Sequence, residues 1–385
     1  MHEKIFESLK IKNKTAPNRL LAQAMEGNDC ENGGQPSERT IARYAKFGEG
    51  GWGTMIVEAC SVIETSLARV NGMIVSEKNL ERIKRLTDAF KKNNSEGLLL
   101  LQLTHSGQNS GSFSDNTTLM PQENKRLLSG DEIAKIRDRF IEGALLAEKA
   151  GMDGIDLKMC HGYLGGEMLR PSNLREDGWG GSFENRTRFF REVVQGVKSG
   201  MKGSGFILGS RLSVYEGIRG GCGTAAHDEI VEDLGQMHDI IRLMDDLGMD
   251  YVNVSAGIPT MTGIITRPTE PSKFLVLHHL RYTKGVKDIV RKEGRKIKVV
   301  GSAYSTYKAG SMDVAQEMLA KDYVDLCGFG RQTFADPLTP KKLAKGESIN
   351  WCVLCSGCTK LMISQVNDGC IVYDDYYKEI NRGLK

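Results

Sequence analysis

The alternation of strand-like and helix-like segments constrains the fold of this chain more than any other feature. Short runs of aliphatic and β-branched residues recur up to residue 330, and amphipathic segments separate them. The runs that we predict as strands are Leu20–Ala24, Thr54–Ala59, Leu98–Leu103, Gly154–Lys158, Ile207–Ser213, Tyr251–Ser255, Lys298–Gly301 and Val324–Gly328. Because strands joined by helices pair in parallel, the pattern predicts an α/β fold with crossover helices.

Four helix predictions fit between these strands. Ser129 and Glu132 have the spacing of a capping box, ahead of apolar residues at helical intervals. The other three predicted helices cover 182–197, 230–247 and 306–319. Eight strand–helix units favour a closed (β/α)8 TIM barrel over an open sheet. An open dinucleotide-binding sheet would carry a glycine fingerprint after its first strand, whereas this chain has Met-Glu-Gly-Asn at 25–28.

The length and the net charge of the chain limit the classes of protein to which it can belong. The chain has 385 residues, which one elaborated barrel can use, and we predict a barrel over 1–345 followed by a C-terminal segment over 346–385. A net charge of +3, without a basic cluster, argues against a nucleic-acid partner. The longest strongly apolar run is Leu98–Leu101, whereas a membrane span needs about 20 residues. We therefore expect a cytoplasmic protein, with homo-oligomerisation left open.

The C-terminal segment carries four of the nine cysteines: Cys352, Cys355, Cys358 and Cys370. The chain starts without a secretory signal, so clustered thiols indicate metal or redox chemistry rather than disulfides. Structural zinc sites favour two separated Cys-x2-Cys pairs. Three cysteines at two-residue intervals with a distant fourth are typical of an iron–sulfur cluster. The spacing favours a 4Fe–4S cluster, with zinc and incidental thiols as the alternatives.

Polar residues at the end of the fourth strand mark a candidate catalytic site. Lys158, His161 and Tyr163 follow one another on a single strand-end turn, and function in a TIM barrel lies at the C-terminal ends of the strands. The spacing alone is equally compatible with a structural turn, in which the histidine is hydrogen-bonded and the lysine stem is buried.

The stretch from His161 to Arg186 resembles the signature of the Old Yellow Enzyme family of FMN-dependent ene reductases. Further matches occur in the expected order at the predicted strand ends: Asn18-Arg19, Ala24-Met25, Gln102-Leu-Thr-His105, Arg211-Leu-Ser213, Gly301-Ser302 and Gly328-Phe-Gly-Arg331. The resemblance covers nearly the whole chain. It implies a barrel that binds FMN.

The resemblance also implies which residues bind FMN: Ala24, Met25, Gln102, Arg211, Gly301, Ser302, Gly330 and Arg331. The Gln102 amide suits the pyrimidine edge of the flavin, and Arg211 would stabilise the anionic reduced flavin. The loops after strands seven and eight form the usual phosphate site of such barrels. Their glycines let backbone N–H groups approach the phosphate, and the Arg331 guanidinium can donate two parallel hydrogen bonds to it.

By the same resemblance, hydride passes from flavin N5 to the β-carbon of an electron-poor alkene. His161 would bind the substrate carbonyl, and Tyr163 would supply the proton to the α-carbon. Lys158 departs from the family pattern, which usually has histidine there. Its ammonium could bind a substrate carboxylate or carbonyl, act on Tyr163, or serve the structure alone.

The cysteine segment resembles that of the family's iron–sulfur branch, typified by 2,4-dienoyl-CoA reductase and trimethylamine dehydrogenase. There a nucleotide-binding region follows the cluster, whereas this chain stops at Lys385. We therefore expect an external electron donor: a ferredoxin, a flavodoxin or a flavoprotein subunit, with direct reduction by NAD(P)H as the alternative.

The leading hypothesis is an FMN- and 4Fe–4S-dependent ene reductase that acts on a small unsaturated carbonyl, enoate or dienoyl compound. An amine dehydrogenase or demethylase of the same fold is the alternative, although Lys158 would repel a cationic substrate. A tRNA-modifying flavin barrel and a non-enzymatic binding protein with a zinc tail are alternatives of other classes.

Overall fold

Eight parallel strands close into a barrel in the computed structural model, which describes residues 2–203, 205–269 and 273–384, with the backbone alone for 273–276. The barrel strands are β1 (Leu20–Ala22), β2 (Thr54–Ser61), β3 (Leu98–Thr104), β4 (Gly154–Met159), β5 (Ile207–Tyr215), β6 (Tyr251–Ala256), β7 (Lys298–Gly301) and β8 (Leu326–Phe329). Closure occurs at β1, where Leu21 lies opposite Thr54 of β2 and Leu20 lies opposite Cys327 of β8. The predicted TIM barrel is confirmed.

Helices surround the strands: α1 (Glu38–Glu49), α2 (Leu80–Asn93), α3 (Gly130–Lys149), α4 (Phe183–Gly200), α5 (Gly235–Asp246), α6 (Lys273–Lys292), α7 (Ser311–Ala320) and α8 (Thr339–Lys345). The predicted capping box of α3 is present, since the Glu132 amide donates to Ser129 Oγ over 3.2 Å. Helix α5 begins five residues after the predicted start at Ile230, because the apolar Ile230 and Val231 are exposed loop residues. Helix α7 begins at residue 311, because Lys308 has a φ of 52° and interrupts the preceding 3₁₀ turn.

An antiparallel hairpin covers the N-terminal end of the barrel. Its strands, Leu9–Ile11 and Lys14–Ala16, pack their apolar side chains against the barrel interior. Ile56 and Leu100 belong to the same buried cluster. This end of the barrel is therefore filled, which leaves the C-terminal end for a ligand.

The C-terminal segment folds back onto the mouth of the barrel. After α8 it forms two short helices, α9 (Gly357–Ile363) and α10 (Asp375–Gly383). The Asn28 side-chain amide donates to the Val366 carbonyl over 3.0 Å, and the Asp368 amide donates to the Gly27 carbonyl over 2.8 Å. The segment is thereby joined to the loop after β1. The division into 1–345 and 346–385 stays a prediction.

Smaller elements complete the fold. The short strands are Met73–Ile74, Thr117–Thr118 and Arg126–Leu127, and the short helices and 3₁₀ turns are Glu3–Phe6, Glu77–Asn79, Gly107–Asn109, Leu164–Leu169, Gly263–Thr266, Tyr304–Gly310 and Arg331–Ala335. Within the described ranges, no helix combines the length and the apolarity that crossing a membrane requires.

Candidate active site

The C-terminal ends of the strands surround a cleft, as in other TIM barrels. It encloses about 1020 Å³, part of which is open to solvent. Ten of the barrel residues predicted for catalysis and FMN binding line it: Ala24, Met25, Gln102, Lys158, His161, Tyr163, Arg211, Ser302, Gly330 and Arg331. Gly301 does not line the cleft. A Cβ at this position would lie 2.6 Å from Tyr304 Oη, so packing alone requires a glycine there.

His161 is held by hydroxyl groups from the next two strands, β5 and β6. Its backbone has a left-handed φ of 60°, and its amide donates to Ser213 Oγ over 3.1 Å. Its imidazole Nε2 lies 2.7 Å from Ser255 Oγ. Burial lowers the pKa of His161 well below its ordinary value, and the cations Arg211 and Lys158 lower it further. The imidazole is therefore neutral at physiological pH.

Lys158 and Tyr163 form a contact pair. The ammonium lies 3.5 Å from the centroid of the Tyr163 ring, a cation–π geometry. The same ammonium lies 3.6 Å from Glu26 Oε1. Among the described residues, none hydrogen-bonds to the Tyr163 hydroxyl, so this group is available to a ligand in the cleft.

Gln102 is oriented by a carboxylate on the next strand. Its Nε2 donates to Asp156 Oδ1 over 2.7 Å, and the Tyr251 hydroxyl donates to Asp156 Oδ2 over 2.8 Å. Burial raises the pKa of Asp156, although these two hydrogen bonds act in the opposite direction. Since the amide nitrogen is directed to Asp156, the carbonyl oxygen of Gln102 remains for the cleft.

Arg211 carries a donor without a partner. Its Nη2 donates to Ser255 Oγ over 3.4 Å, whereas its Nε is buried and makes no hydrogen bond to the described residues. An unsatisfied buried donor is costly. Since Arg211 lines the cleft, a bound ligand could supply the acceptor that its Nε lacks.

The loops after β7 and β8 form one corner of the cleft. Ala303 has a left-handed φ of 72°, and a Cβ on Gly330 would approach Met25 Sδ to 3.2 Å. Arg331 Nη2 donates to the Pro268 carbonyl over 2.7 Å. It forms no ion pair with a described carboxylate, so its remaining donors suit an anion.

The four clustered cysteines lie beside this corner. Cys352, Cys355, Cys358 and Cys370 all line one small pocket together with Arg331. Cys355 is exposed and the other three are partly buried. Cys358 also lines the cleft. Across the described parts of the chain, no three His, Cys, Asp or Glu side chains are arranged to hold a metal ion.

Comparison with known proteins identifies the family. The profile of the NADH:flavin oxidoreductase / NADH oxidase family matches residues 4–350. The chain belongs to this family. It is thus a flavin-dependent oxidoreductase, as the resemblance to Old Yellow Enzyme predicted, and the interpretation as a non-enzymatic binding protein is wrong.

Relatives within the NADH:flavin oxidoreductase family differ in length. NADPH dehydrogenase of Clostridium acetobutylicum is 30% identical over 358 residues, which cover 90% of this chain and 96% of that protein. N,N-dimethylglycine/sarcosine dehydrogenase of Chromohalobacter salexigens is 28% identical over 376 residues, 92% of this chain and 50% of that protein. The chain therefore spans about half the length of the second relative.

Solved structures show the same fold. A 2-naphthoyl-CoA reductase in complex with 2-naphthoyl-CoA aligns with a TM-score of 0.85 at 22% identity, over 98% of this chain and 58% of that one. An Old Yellow Enzyme homologue from Zymomonas mobilis aligns with a TM-score of 0.72 at 21% identity, over 97% of this chain and 99% of that one. At these identities the likeness establishes the barrel.

Five residues of the site were absent from the sequence predictions: Glu26, Arg69, Asp156, Arg267 and Asp368. All but Asp156 line the cleft of this family member. Asp156 could have been recognised in the sequence, because it is an acidic residue within the apolar strand β4. The two arginines lie on loops without a motif, so nothing in the sequence placed them together.

Proposed function

We propose that this flavin-dependent oxidoreductase reduces the activated C=C bond of an α,β-unsaturated carbonyl compound. The observation that carries the proposal is a neutral His161 and an available Tyr163 hydroxyl in the same cleft as Gln102 and Arg211. His161 is suited to bind a carbonyl, and Tyr163 is suited to donate a proton. Gln102 and Arg211 are suited to bind a flavin.

The residues present fit FMN. The Gln102 carbonyl oxygen would accept from the pyrimidine ring, and the unpartnered Arg211 Nε would donate to an acceptor on the flavin. Ser302, Gly330 and Arg331 would hold the phosphate. When bound, FMN supplies the hydride that the alkene carbon β to the carbonyl receives.

His161 would hydrogen-bond the substrate carbonyl and stabilise the charge that develops there. His161 Nε2 and Ser255 Oγ form one hydrogen bond over 2.7 Å, in which either atom can donate. One nitrogen of a neutral imidazole carries a proton, and in this proposal the Ser255 hydroxyl donates to Nε2, so that the N–H at Nδ1 is the donor for the carbonyl.

Tyr163 would give its proton to the α-carbon, which completes the two-electron reduction of the alkene, and would regain a proton from solvent. Lys158, which itself lies 3.6 Å from Glu26, covers one face of the Tyr163 ring. We assign Lys158 to positioning the tyrosine rather than to binding substrate.

A 4Fe–4S cluster held by Cys352, Cys355, Cys358 and Cys370 is also part of this proposal. All four line one pocket, and Cys358 reaches the flavin cleft. Each thiolate of a cubane binds its own iron, so the four sulfurs need not converge on one point. The cluster would pass single electrons to FMN from a ferredoxin, a flavodoxin or a flavoprotein, with NAD(P)H as the direct alternative.

The charges of the cleft disfavour amines that carry no carboxylate as substrates. Arg69, Lys158 and Arg267 line it together. The ammonium group of such a substrate would meet repulsion where it must approach the flavin.

The test is a Tyr163→Phe variant in single-turnover kinetics. The protein is reduced with dithionite under anaerobic conditions and mixed with a panel of enones, enals and unsaturated thioesters, while flavin reoxidation is followed by absorbance. General-acid catalysis contributes about 10²- to 10⁴-fold, so reoxidation by the best acceptor should slow at least 100-fold. Equal rates in wild type and variant would refute the role of Tyr163.

Tyr215→Phe is the matched control. The Tyr215 hydroxyl donates to the Ile230 carbonyl outside the cleft, so this variant should match the wild type. A wild-type protein that no acceptor in the panel reoxidises would contradict the proposed reaction itself.

A further inference from the structure

Three cations lie around one carboxylate on the wall of the cleft that carries Tyr163. Glu26 Oε2 pairs with Arg69 Nε at 3.0 Å, and Glu26 Oε1 lies 3.6 Å from Lys158 Nζ. Burial raises the pKa of Glu26, but the surrounding cations outweigh burial and bring the pKa below its ordinary value. Glu26 is therefore ionised, and it neutralises part of the charge of Arg69 and Lys158.

The third cation, Arg267, has only neutral partners. Its Nη1 donates to Thr359 Oγ1 over 3.3 Å, and its Nη2 contacts Met362 Sδ at 3.4 Å. Within the described residues, no carboxylate lies within ion-pair distance of its guanidinium. Guanidinium groups have five N–H donors, and a half-buried one without a counter-anion carries a desolvation cost. The remaining donors of Arg267 are suited to a ligand anion.

The loop that carries Arg267 is anchored on both sides. The Ile265 carbonyl accepts from His279 Nε2 over 2.8 Å, and the Pro268 carbonyl accepts from Arg331 over 2.7 Å. The guanidinium is thus held in place before a ligand arrives, which lowers the entropy cost of binding.

Arg267 also acts on the substrate side of the cleft. It lines the same cavity as His161 and Tyr163. It is one of the cations that lower the pKa of His161, after burial, Arg211 and Lys158. A ligand whose carbonyl reaches His161 is therefore within the electrostatic range of Arg267.

We propose that Arg267 binds a carboxylate of the substrate, at a distance from the reacting alkene. The substrate is then an unsaturated carbonyl compound that carries a separate carboxylate, with its carbonyl at His161 and its carboxylate at Arg267. This inference rests on the proposed ene-reductase function. It deepens that function by naming the charge of the substrate and the residue that selects it.

The experiment uses 2-cyclohexenones that bear a side chain of one to four methylene groups ending in a carboxylate, each paired with its methyl ester. Anaerobic kcat/KM values and calorimetric Kd values are measured for the wild type and for Arg267→Leu. Charge-assisted hydrogen bonds to a carboxylate correspond to about 10- to 100-fold in affinity. The acid of at least one length should therefore be preferred over its ester by that factor, and Arg267→Leu should abolish the preference, measured as the acid-to-ester ratio within each protein.

Two further variants separate specific binding from other effects. Arg267→Lys should restore part of the preference, because it keeps the charge. Arg219→Leu removes an exposed arginine on the loop after β5 and should leave the preference intact.

The outcomes are distinct. If no acid is preferred over its ester, or if acid and ester lose equally in Arg267→Leu, the assignment is overturned. Loss of the preference in Arg219→Leu as well as in Arg267→Leu would show a nonspecific effect of positive charge and would also overturn it. If neither the acids, the esters nor 2-cyclohexenone itself is reduced, the ene-reductase function fails, and the Kd values then decide separately whether Arg267 binds carboxylates.

Discussion

Asp156 shows how a single residue outside the cleft can determine what the cleft binds. Its two carboxylate oxygens accept hydrogen bonds from Gln102 and Tyr251. Asp156, on β4, therefore sets the orientation of the Gln102 amide. Without this acceptor the amide could present its nitrogen to the cleft, where the proposed flavin site requires an oxygen. Asp156 is a positioning residue in this proposal.

We expect Asp156→Ala to weaken FMN binding about tenfold, which corresponds to about one hydrogen bond. Asp156→Asn should retain the wild-type affinity within about twofold, since its oxygen can accept from Gln102 while its nitrogen donates to Tyr251. The measurement is a fluorescence titration of FMN into the apoprotein. An affinity of Asp156→Asn as low as that of Asp156→Ala would contradict the positioning role.

At the scale of elements, helix α6 connects two loops of the site. His279 on α6 donates from Nε2 to the Ile265 carbonyl, and its Nδ1 lies 3.2 Å from Ser302 Oγ. The loop after β6 and the start of the loop after β7 are therefore joined through one buried imidazole. Burial lowers the pKa of His279 to about 4.

This shift makes the contribution of His279 to stability depend on pH. Unfolded histidine has a pKa of about 6.5, so below that pH the unfolded chain binds a proton that the folded chain excludes. Between pH 7 and pH 5 the wild type should lose about 2 kcal/mol through this group. His279→Asn lacks the effect, so the difference in unfolding free energy between the two proteins should shrink by about 2 kcal/mol.

Denaturant unfolding at pH 7 and pH 5 measures this difference. Thr283→Val is the control, because Thr283 is buried on the same helix and does not titrate. Its free-energy difference from the wild type should be equal at both pH values. A constant difference for His279→Asn would show that the pKa of His279 is the same in the folded and the unfolded protein, which contradicts the prediction.

The elements also show what a sequence pattern can predict. Strand β7 has the predicted bounds, and the other strands differ by at most two residues at either end, because apolar runs in parallel sheets are continuous and bounded by turns. Helix starts were less predictable, since exposed apolar residues such as Val231 resemble a buried face. Ten of the predicted residues at strand ends line the cleft, whereas Gly301 does not. Arg69 and Arg267 did not stand out, because the paths of loops depend on tertiary packing.

At the scale of the whole molecule, the barrel and the C-terminal segment share one site. Cys358, Thr359, Met362 and Asp368 line the cleft beside the barrel residues. This wall was not predictable, because it depends on how the segment folds back on the loops after β1 and β2. The cysteine spacing indicated a ligand set, but it contained no information about the distance to the flavin.

Cys355→Ala tests whether the proposed cluster and FMN can be separated. Cys355 lines the small pocket but not the cleft, so the variant should lose iron, acid-labile sulfide and cluster absorbance while retaining FMN. Cys60→Ala is the control, because Cys60 is buried in the barrel and its loss should leave both chromophores in place. A Cys355→Ala protein with unchanged iron content would contradict the assignment.

The contribution of residues 358–368 to the cleft has a consequence for biosynthesis. All eight barrel strands precede these residues, so a nascent chain can close its sheet while one wall of the cleft is still inside the ribosome. A complete site for the flavin therefore forms only after the barrel sheet, once residues 358–368 have left the ribosome.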